Sequence, residues 1–165
     1  MIVDDESLAL SRLKRLLNEN GIEDITAFDN PIEALKEVTK TKFDAVFLDI
    51  SMPNITGLEL ADSIIQLEPK TFIVFQTAYS EFALEAYKSG GMGYLVKPID
   101  SNDIKNILEK VRNFKSSLNE ESKKILGKRG DKLYLIDIND IYYIKADLDE
   151  VIVKIKETDA YVRRK

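Results

Sequence analysis

FDAVFLDISMPNITG (residues 43–57) contains a short apolar run that ends in an acid. Val46, Phe47 and Leu48 suit a strand buried in a sheet, and Asp49 stands at its tip. A carboxylate at the edge of a core is costly unless a cation or a hydrogen-bond donor meets it. A partner for Asp49 is therefore expected from elsewhere in the chain.

Outward from this stretch, the hydrophobic period switches repeatedly between short continuous runs and helical spacing, up to about residue 118. The runs Ile2–Val3, Ile25–Phe28, Ala45–Leu48, Phe72–Phe75 and Tyr94–Val96 read as strands. Between them Leu10, Leu13 and Leu17 share one helix face, with Gly21 as its stop. Asn30–Pro31 opens a second helix, carrying Ile32, Leu35 and Val38. Ala61, Ile64 and Ile65 mark a third; Phe82, Ala86 and Tyr87 mark a short fourth. Ile104, Ile107, Leu108, Val111, Phe114 and Leu118 mark the fifth and longest. Strict βα alternation predicts an α/β fold, a doubly wound five-stranded parallel sheet covered on both faces. Gly90, Gly91 and Gly93 are expected to make the approach to the fifth strand flexible.

After Ser122 the period becomes two. KLYLI, IYYIKA, VIVKIK and AYVRR read as strands, separated by turns at Arg129–Asp131, Asp147–Glu150 and Glu157–Asp159. The organisation expected is thus residues 1–118 as one domain, 119–124 as a helix end or linker, and 125–165 as a short all-β region. So small a region lies near the lower limit for independent folding and stops on a strand, which reads as part of a longer domain.

Composition narrows the chemistry. The 165 residues include neither cysteine nor histidine, which removes disulfides, thiolate nucleophiles and imidazole bases. Any metal must be held by oxygen, which favours a hard cation such as Mg²⁺. A formal net charge of −5, no membrane-length apolar run and no basic leader lead us to expect a soluble cytoplasmic protein.

In an open parallel sheet, ligands bind beyond the carboxyl ends of the strands. Asp4, Asp5 and Glu6 follow the first strand, Asp49 the third, Gln76 and Thr77 the fourth, and Lys97 and Pro98 the fifth. Taken singly, Asp4 or Asp5 could cap the first helix, Thr77 the fourth, and Lys97 could be a solvated base. Together they place acids, a base and a hydroxyl in one cleft. Clustered acids repel and call for a cation, and carboxylates with water and a backbone carbonyl suit octahedral Mg²⁺. In such a cleft Asp49 could attack phosphorus in line, with Mg²⁺ and Lys97 neutralising the phosphoryl oxygens and Thr77 bonding one of them.

These residues resemble the receiver domain of a two-component response regulator. The resemblance rests on Asp4–Asp5, on Asp49–Ile50–Ser51–Met52–Pro53 with Gly57, on Thr77–Ala78, on Tyr94 and on Lys97–Pro98, in that order, over residues 1 to about 118. It implies a flavodoxin-like fold and phosphorylation of Asp49 by a sensor histidine kinase. It implies Mg²⁺ held by Asp4, Asp5, Asp49 and the Ser51 carbonyl, catalytic roles for Asp49, Thr77 and Lys97, and a switch in which Thr77 moves inward and Tyr94 follows. It implies that Ser51 and Tyr79 tune hydrolysis of the phosphoryl group. It also implies a remodelled face of fourth helix, fifth strand and fifth helix, through which homodimers can form.

Ile138 to Ala146, INDIYYIKA, resembles the beginning of a LytTR-type DNA-binding domain, which implies transcriptional output in a complete form. Yet residues 125–165 carry 9 basic and 8 acidic residues, a net of +1, and the place of the first recognition loop reads Asp147–Leu148–Asp149–Glu150. A DNA-binding surface should be basic, so this chain is not expected to bind DNA by itself. The alternative is a phosphorylation-controlled interaction module whose β region dimerises. A haloacid-dehalogenase-type hydrolase is disfavoured because Ser51 stands where that family carries a second Asp, and because the acidic pair comes first. A flavin-binding protein is disfavoured because acids after the first strand repel a cofactor phosphate.

Overall fold

A computed structural model describes the chain except residues 80–82, 122–123, 130–131, 148–149, 156–157 and 164–165. The chain divides into two compact units, Met1–Lys115 and Ser116–Lys165.

The first unit alternates β1 (Ile2–Val3), α1 (Ser7–Glu19), β2 (Ala27–Phe28), α2 (Pro31–Val38), β3 (Ala45–Asp49), α3 (Gly57–Leu67), β4 (Phe72–Thr77), α4 (Ala83–Lys88), β5 (Gly93–Val96) and α5 (Ser101–Glu121), the last running past the division. Its sheet is parallel in the order β2-β1-β3-β4-β5, the flavodoxin-like order. All six residues of β4 and the last four of β3 are buried, because helices cover both faces and every side chain needs to be apolar or paired. Val46, Leu48, Ile73 and Phe75 pack with Leu60, Ala61 and Ile64 of α3 and Ala34 and Val38 of α2. Phe47, Phe72, Val74 and Leu95 pack on the opposite face with Leu13, Leu16 and Leu17 of α1 and Ile104, Ile107 and Leu108 of α5. Each fully buried aliphatic side chain adds roughly 1.5–3 kcal/mol.

Local signals fix the helix starts. Asn30 accepts from the Ile32 and Glu33 amides and Pro31 opens α2. Thr56 and Glu59 form a reciprocal capping box on α3, with Thr56 N donating to Glu59 Oε2 at 2.9 Å and Glu59 N to Thr56 Oγ1 at 3.3 Å. Beside it, a Cβ on Gly57 would lie 2.0 Å from the Asp49 carbonyl oxygen. Only glycine lets α3 start this close to the end of β3.

Three expectations change in detail. β2 covers only Ala27–Phe28 of the four residues expected, while β4 runs on through Gln76 and Thr77. Phe82 lies outside the described residues. The glycines before β5 serve turning and close packing: Gly90 holds φ +76 after α4, and a Cβ on Gly91 would meet the Ala86 carbonyl and the Phe75 ring at 2.7 Å.

The second unit is an antiparallel sheet in the order β7-β6-β10-β9-β8, formed by β6 (Lys124–Arg129), β7 (Lys132–Asp137), β8 (Ile141–Asp147), β9 (Glu150–Ile155) and β10 (Thr158–Arg163). β6 was not expected; its central Gly127 between Leu126 and Lys128 obscures the alternation. A 3-10 turn at Ile138–Asp140, where the Asp137 carboxylate accepts from the Asn139 amide at 2.9 Å, joins β7 to β8. The three expected turns include residues 130–131, 148–149 and 157, which lie outside the described residues. Ile136 and Val153 are buried, whereas Leu133 and Leu135 of β7 and Tyr142, Tyr143 and Ile144 of β8 are exposed. Among the described residues no helix is long and apolar enough to cross a membrane.

Candidate phosphoacceptor site

Asp4 follows β1 and Asp49 ends β3, on the neighbouring strands where the order of winding reverses. Lys97, one residue beyond β5, spans β4 to reach them: its Nζ lies 2.8 Å from Asp4 Oδ2 and 2.6 Å from Asp49 Oδ1. The partner required by the buried acid of β3 is thus Lys97. The second Asp49 oxygen, Oδ2, accepts the Ser51 backbone amide at 2.7 Å. Asp4 is fully buried and Asp49 is 6% exposed.

Asp4 takes further donors. Its Oδ1 accepts from the Glu6 amide at 3.0 Å, and its Oδ2 accepts from Gln76 Nε2 at 3.2 Å as well as from Lys97. Burial raises the pKa of the Asp4 carboxyl above its ordinary value, although the Lys97 hydrogen bond opposes the shift. Burial alone would lower that of Lys97, but hydrogen bonds to Asp4 and Asp49, and attraction to both, outweigh it and raise the ammonium above the usual lysine range.

Asp5 and Glu6 are exposed, unlike Asp4; Glu6 is the N-cap of α1 and makes no side-chain capping hydrogen bond, and Asp4 accepts the Glu6 amide, which precedes the helix. Among the described residues no three acidic side chains converge as a metal cage. The donors are nonetheless all oxygen, and the Lys97 ammonium already sits as a cation between two carboxylates. That chemistry fits a hard divalent ion beside the acids.

Thr77, 1% exposed, ends β4, and its Oγ1 accepts from the Tyr79 amide at 3.3 Å. Tyr94 of β5 donates its hydroxyl to the Tyr79 carbonyl. The two expected switch residues are therefore joined through the backbone of one exposed residue.

A cavity of about 240 Å³ opens beside the cluster, lined by Glu6, Ala9, Arg12, Gln76, Lys97 and Ile99 among others. Arg12 Nη2 donates to the Ile99 carbonyl at 3.2 Å, tying α1 to the segment after β5. Sequence reasoning placed Gln76 at a strand tip without giving it a task. Its signal was an amide at the end of the otherwise apolar run Phe72–Phe75.

Residues 1–109 match the family model of the response regulator receiver domain. An uncharacterized response regulatory protein of Shewanella oneidensis is 39% identical over 93% of this chain and 67% of its own length. The transcriptional regulatory protein BtsR of Escherichia coli is 33% identical over 93% of this chain and 67% of its own. The chain thus spans about two thirds of these relatives. Among solved structures, the Thermotoga maritima response regulator TrrA in complex with Mg²⁺ and beryllofluoride is 35% identical with a TM-score of 0.62, covering 67% of this chain and 95% of that one. The response regulatory domain of Klebsiella pneumoniae MrkE is 35% identical with a TM-score of 0.60, covering 72% and 95%.

Proposed function

Because the chain belongs to the response regulator receiver family of two-component systems, we propose that it is a phospho-switch whose acceptor is Asp49, supplied by a sensor histidine kinase. The observation that carries this reading is the pairing of a nearly buried Asp49 with the Lys97 ammonium at 2.6 Å, at the strand tips of a doubly wound sheet. A carboxylate oxygen of Asp49 attacks phosphorus, forming a new P–O bond. The bond to the donor's phosphorus-bearing atom breaks, and the leaving group keeps that electron pair and takes a proton from solvent. Lys97 turns from Asp4 towards the new phosphoryl oxygens, and the Thr77 hydroxyl donates to one of them. Asp4, Asp5, Asp49 and the Ser51 carbonyl would hold Mg²⁺, which would supply neutralisation of phosphoryl charge. The chain promotes its own phosphorylation and slow dephosphorylation and is a switch rather than a metabolic enzyme.

The movement of Thr77 draws on its link through Tyr79 to Tyr94, altering the face of α4, β5 and α5, where two copies would associate. Output through transcription is supported by relatives named as transcriptional regulators and by the LytTR-like stretch in the second unit, with DNA contact left to a complete output domain. A second reading, a protein-interaction module, is favoured by the exposed apolar side chains on the edge strands β7 and β8, since free edges invite pairing between chains.

Intact mass after incubation with Mg²⁺ and acetyl phosphate tests the first reading. One phosphoryl adduct is expected, lost in Asp49→Ala and with chelator; an adduct that persists in Asp49→Ala would exclude Asp49 as the acceptor. Gel-filtration mass with and without beryllofluoride, with a DNA-shift assay on a longer form, separates the two outputs.

A further inference from the structure

The geometry points to Gln76 as the positioning residue that keeps Asp4 in place when Lys97 leaves it for a phosphoryl group, an inference that rests on the phosphoacceptor reading of Asp49. Gln76 is 1% exposed and follows a wholly apolar stretch of β4, where an amide is tolerated only if it is paired. Its Nε2 donates to Asp4 Oδ2 at 3.2 Å, the same oxygen that receives Lys97 Nζ at 2.8 Å. The other oxygen, Oδ1, receives the Glu6 amide. Among the described residues Asp4 Oδ2 therefore has two side-chain donors, one charged, the other neutral and carried by β4 beside Asp49, its register partner.

Lys97 serves Asp4 and Asp49 together. When its ammonium is drawn to a phosphoryl group on Asp49, Asp4 Oδ2 loses its charged donor in a fully buried position. An unpaired buried acceptor is costly, and among the described residues the Gln76 amide is the side-chain donor that remains. Being neutral, it holds the carboxylate in orientation without cancelling the charge that a divalent cation needs. Gln76 thus matters little while Lys97 is in place and much once it has moved.

Isothermal titration calorimetry on the full chain, with Mg²⁺ alone and then with beryllofluoride in the presence of Mg²⁺, separates the two situations. Gln76→Met is expected to bind Mg²⁺ within about two-fold of wild type and beryllofluoride about ten-fold more weakly, the order expected for a buried acceptor stripped of its last side-chain donor. A merely structural role would weaken both steps together. Equal beryllofluoride affinity in wild type and variant, or parallel weakening of both steps, overturns the inference while leaving the phosphoacceptor reading intact. Wild type that takes up no beryllofluoride with Mg²⁺ overturns both. Should Gln76→Met fail to fold, the Gln76 side-chain amide protons of wild type decide by NMR: slow solvent exchange retained with beryllofluoride bound supports the role, and accelerated exchange overturns it.

Discussion

Tyr94 and Thr77 are joined by a single intervening residue: the Tyr94 hydroxyl donates to the Tyr79 carbonyl, and the Tyr79 amide donates to Thr77 Oγ1 at 3.3 Å. A displacement of Thr77 Oγ1 breaks the amide contact first, so the Tyr79 peptide is where motion at the site meets β5. Tyr94→Phe keeps the ring and deletes the hydroxyl. We expect a loss of about 0.5–1.5 kcal/mol in denaturant unfolding and faster hydrogen exchange at the Tyr79 amide. Unchanged exchange there would show that the link carries nothing.

The Lys97 bridge predicts a large effect of its removal. Lys97→Met leaves Asp4 and Asp49, both buried, facing each other without a cation. Loss of one partner from a buried ion pair costs roughly 3–5 kcal/mol, and urea midpoints should fall accordingly. Added Mg²⁺ should raise the melting temperature of Lys97→Met more than that of wild type, since a second cation then restores what the variant lost. An equal rise in both proteins would mean that the metal does not use these carboxylates.

The same bridge sets an alkaline limit. Lys97 is held above its ordinary value of 10.5 in the folded chain, so its folded pKa exceeds its unfolded one. It contributes stability that is fully present below the unfolded value and is lost as pH rises through the folded one. Wild type should therefore lose stability more steeply than Lys97→Met as pH rises above 10.5, measured by chemical denaturation. Asp4 has the opposite place in the scale. Its raised pKa means that its contribution weakens as pH rises from its unfolded value of 3.8 through its folded one, a fall that Asp4→Asn should abolish.

Gly57→Ala tests the close approach beneath Asp49. Its methyl group would fall 2.0 Å from a backbone oxygen that cannot rotate away, so either α3 or the end of β3 must shift. A loss of about 3 kcal/mol or more is expected, with slower phosphorylation of the protein that folds because the acceptor is displaced. A neutral result would mean that α3 is free to slide.

The doubly wound sheet was legible because its strands are buried on both faces and read as continuous apolar runs, as at Val46–Leu48 and Phe72–Phe75. Asp49 and Lys97 were legible because charges at strand tips contradict the apolar pattern behind them. Their meeting in one cleft followed from the strand-end rule, but the single ammonium bridging Asp4 and Asp49 did not, since it depends on a side chain crossing β4, which no local spacing encodes. Gln76 was passed over for the same reason: its partner Asp4 is distant in sequence and adjacent only in the folded sheet. β6 escaped because alternation needs side chains on both faces, and Gly127 supplies none. Asp5 is exposed where the chain turns into α1, whereas Asp4 is buried, a difference that two adjacent acids do not reveal in the sequence.

In the second unit, β6–β7 and β8–β9 are hairpins between sequence neighbours, and β10 lies between them, pairing with β6 at Tyr161–Lys128 and with β9 along its length. An isolated hairpin is marginal in water, and a sheet needs at least a third strand to persist. Hairpins close in microseconds, whereas the β6–β10 pairing closes a long loop and is entropically slower. During synthesis on the ribosome both hairpins would emerge before the strand that joins them. The nascent second unit is then a pair of sticky half-sheets until residues 158–163 leave the exit tunnel, and a ribosome-stalling series across that interval should show protease resistance of this unit appearing only afterwards.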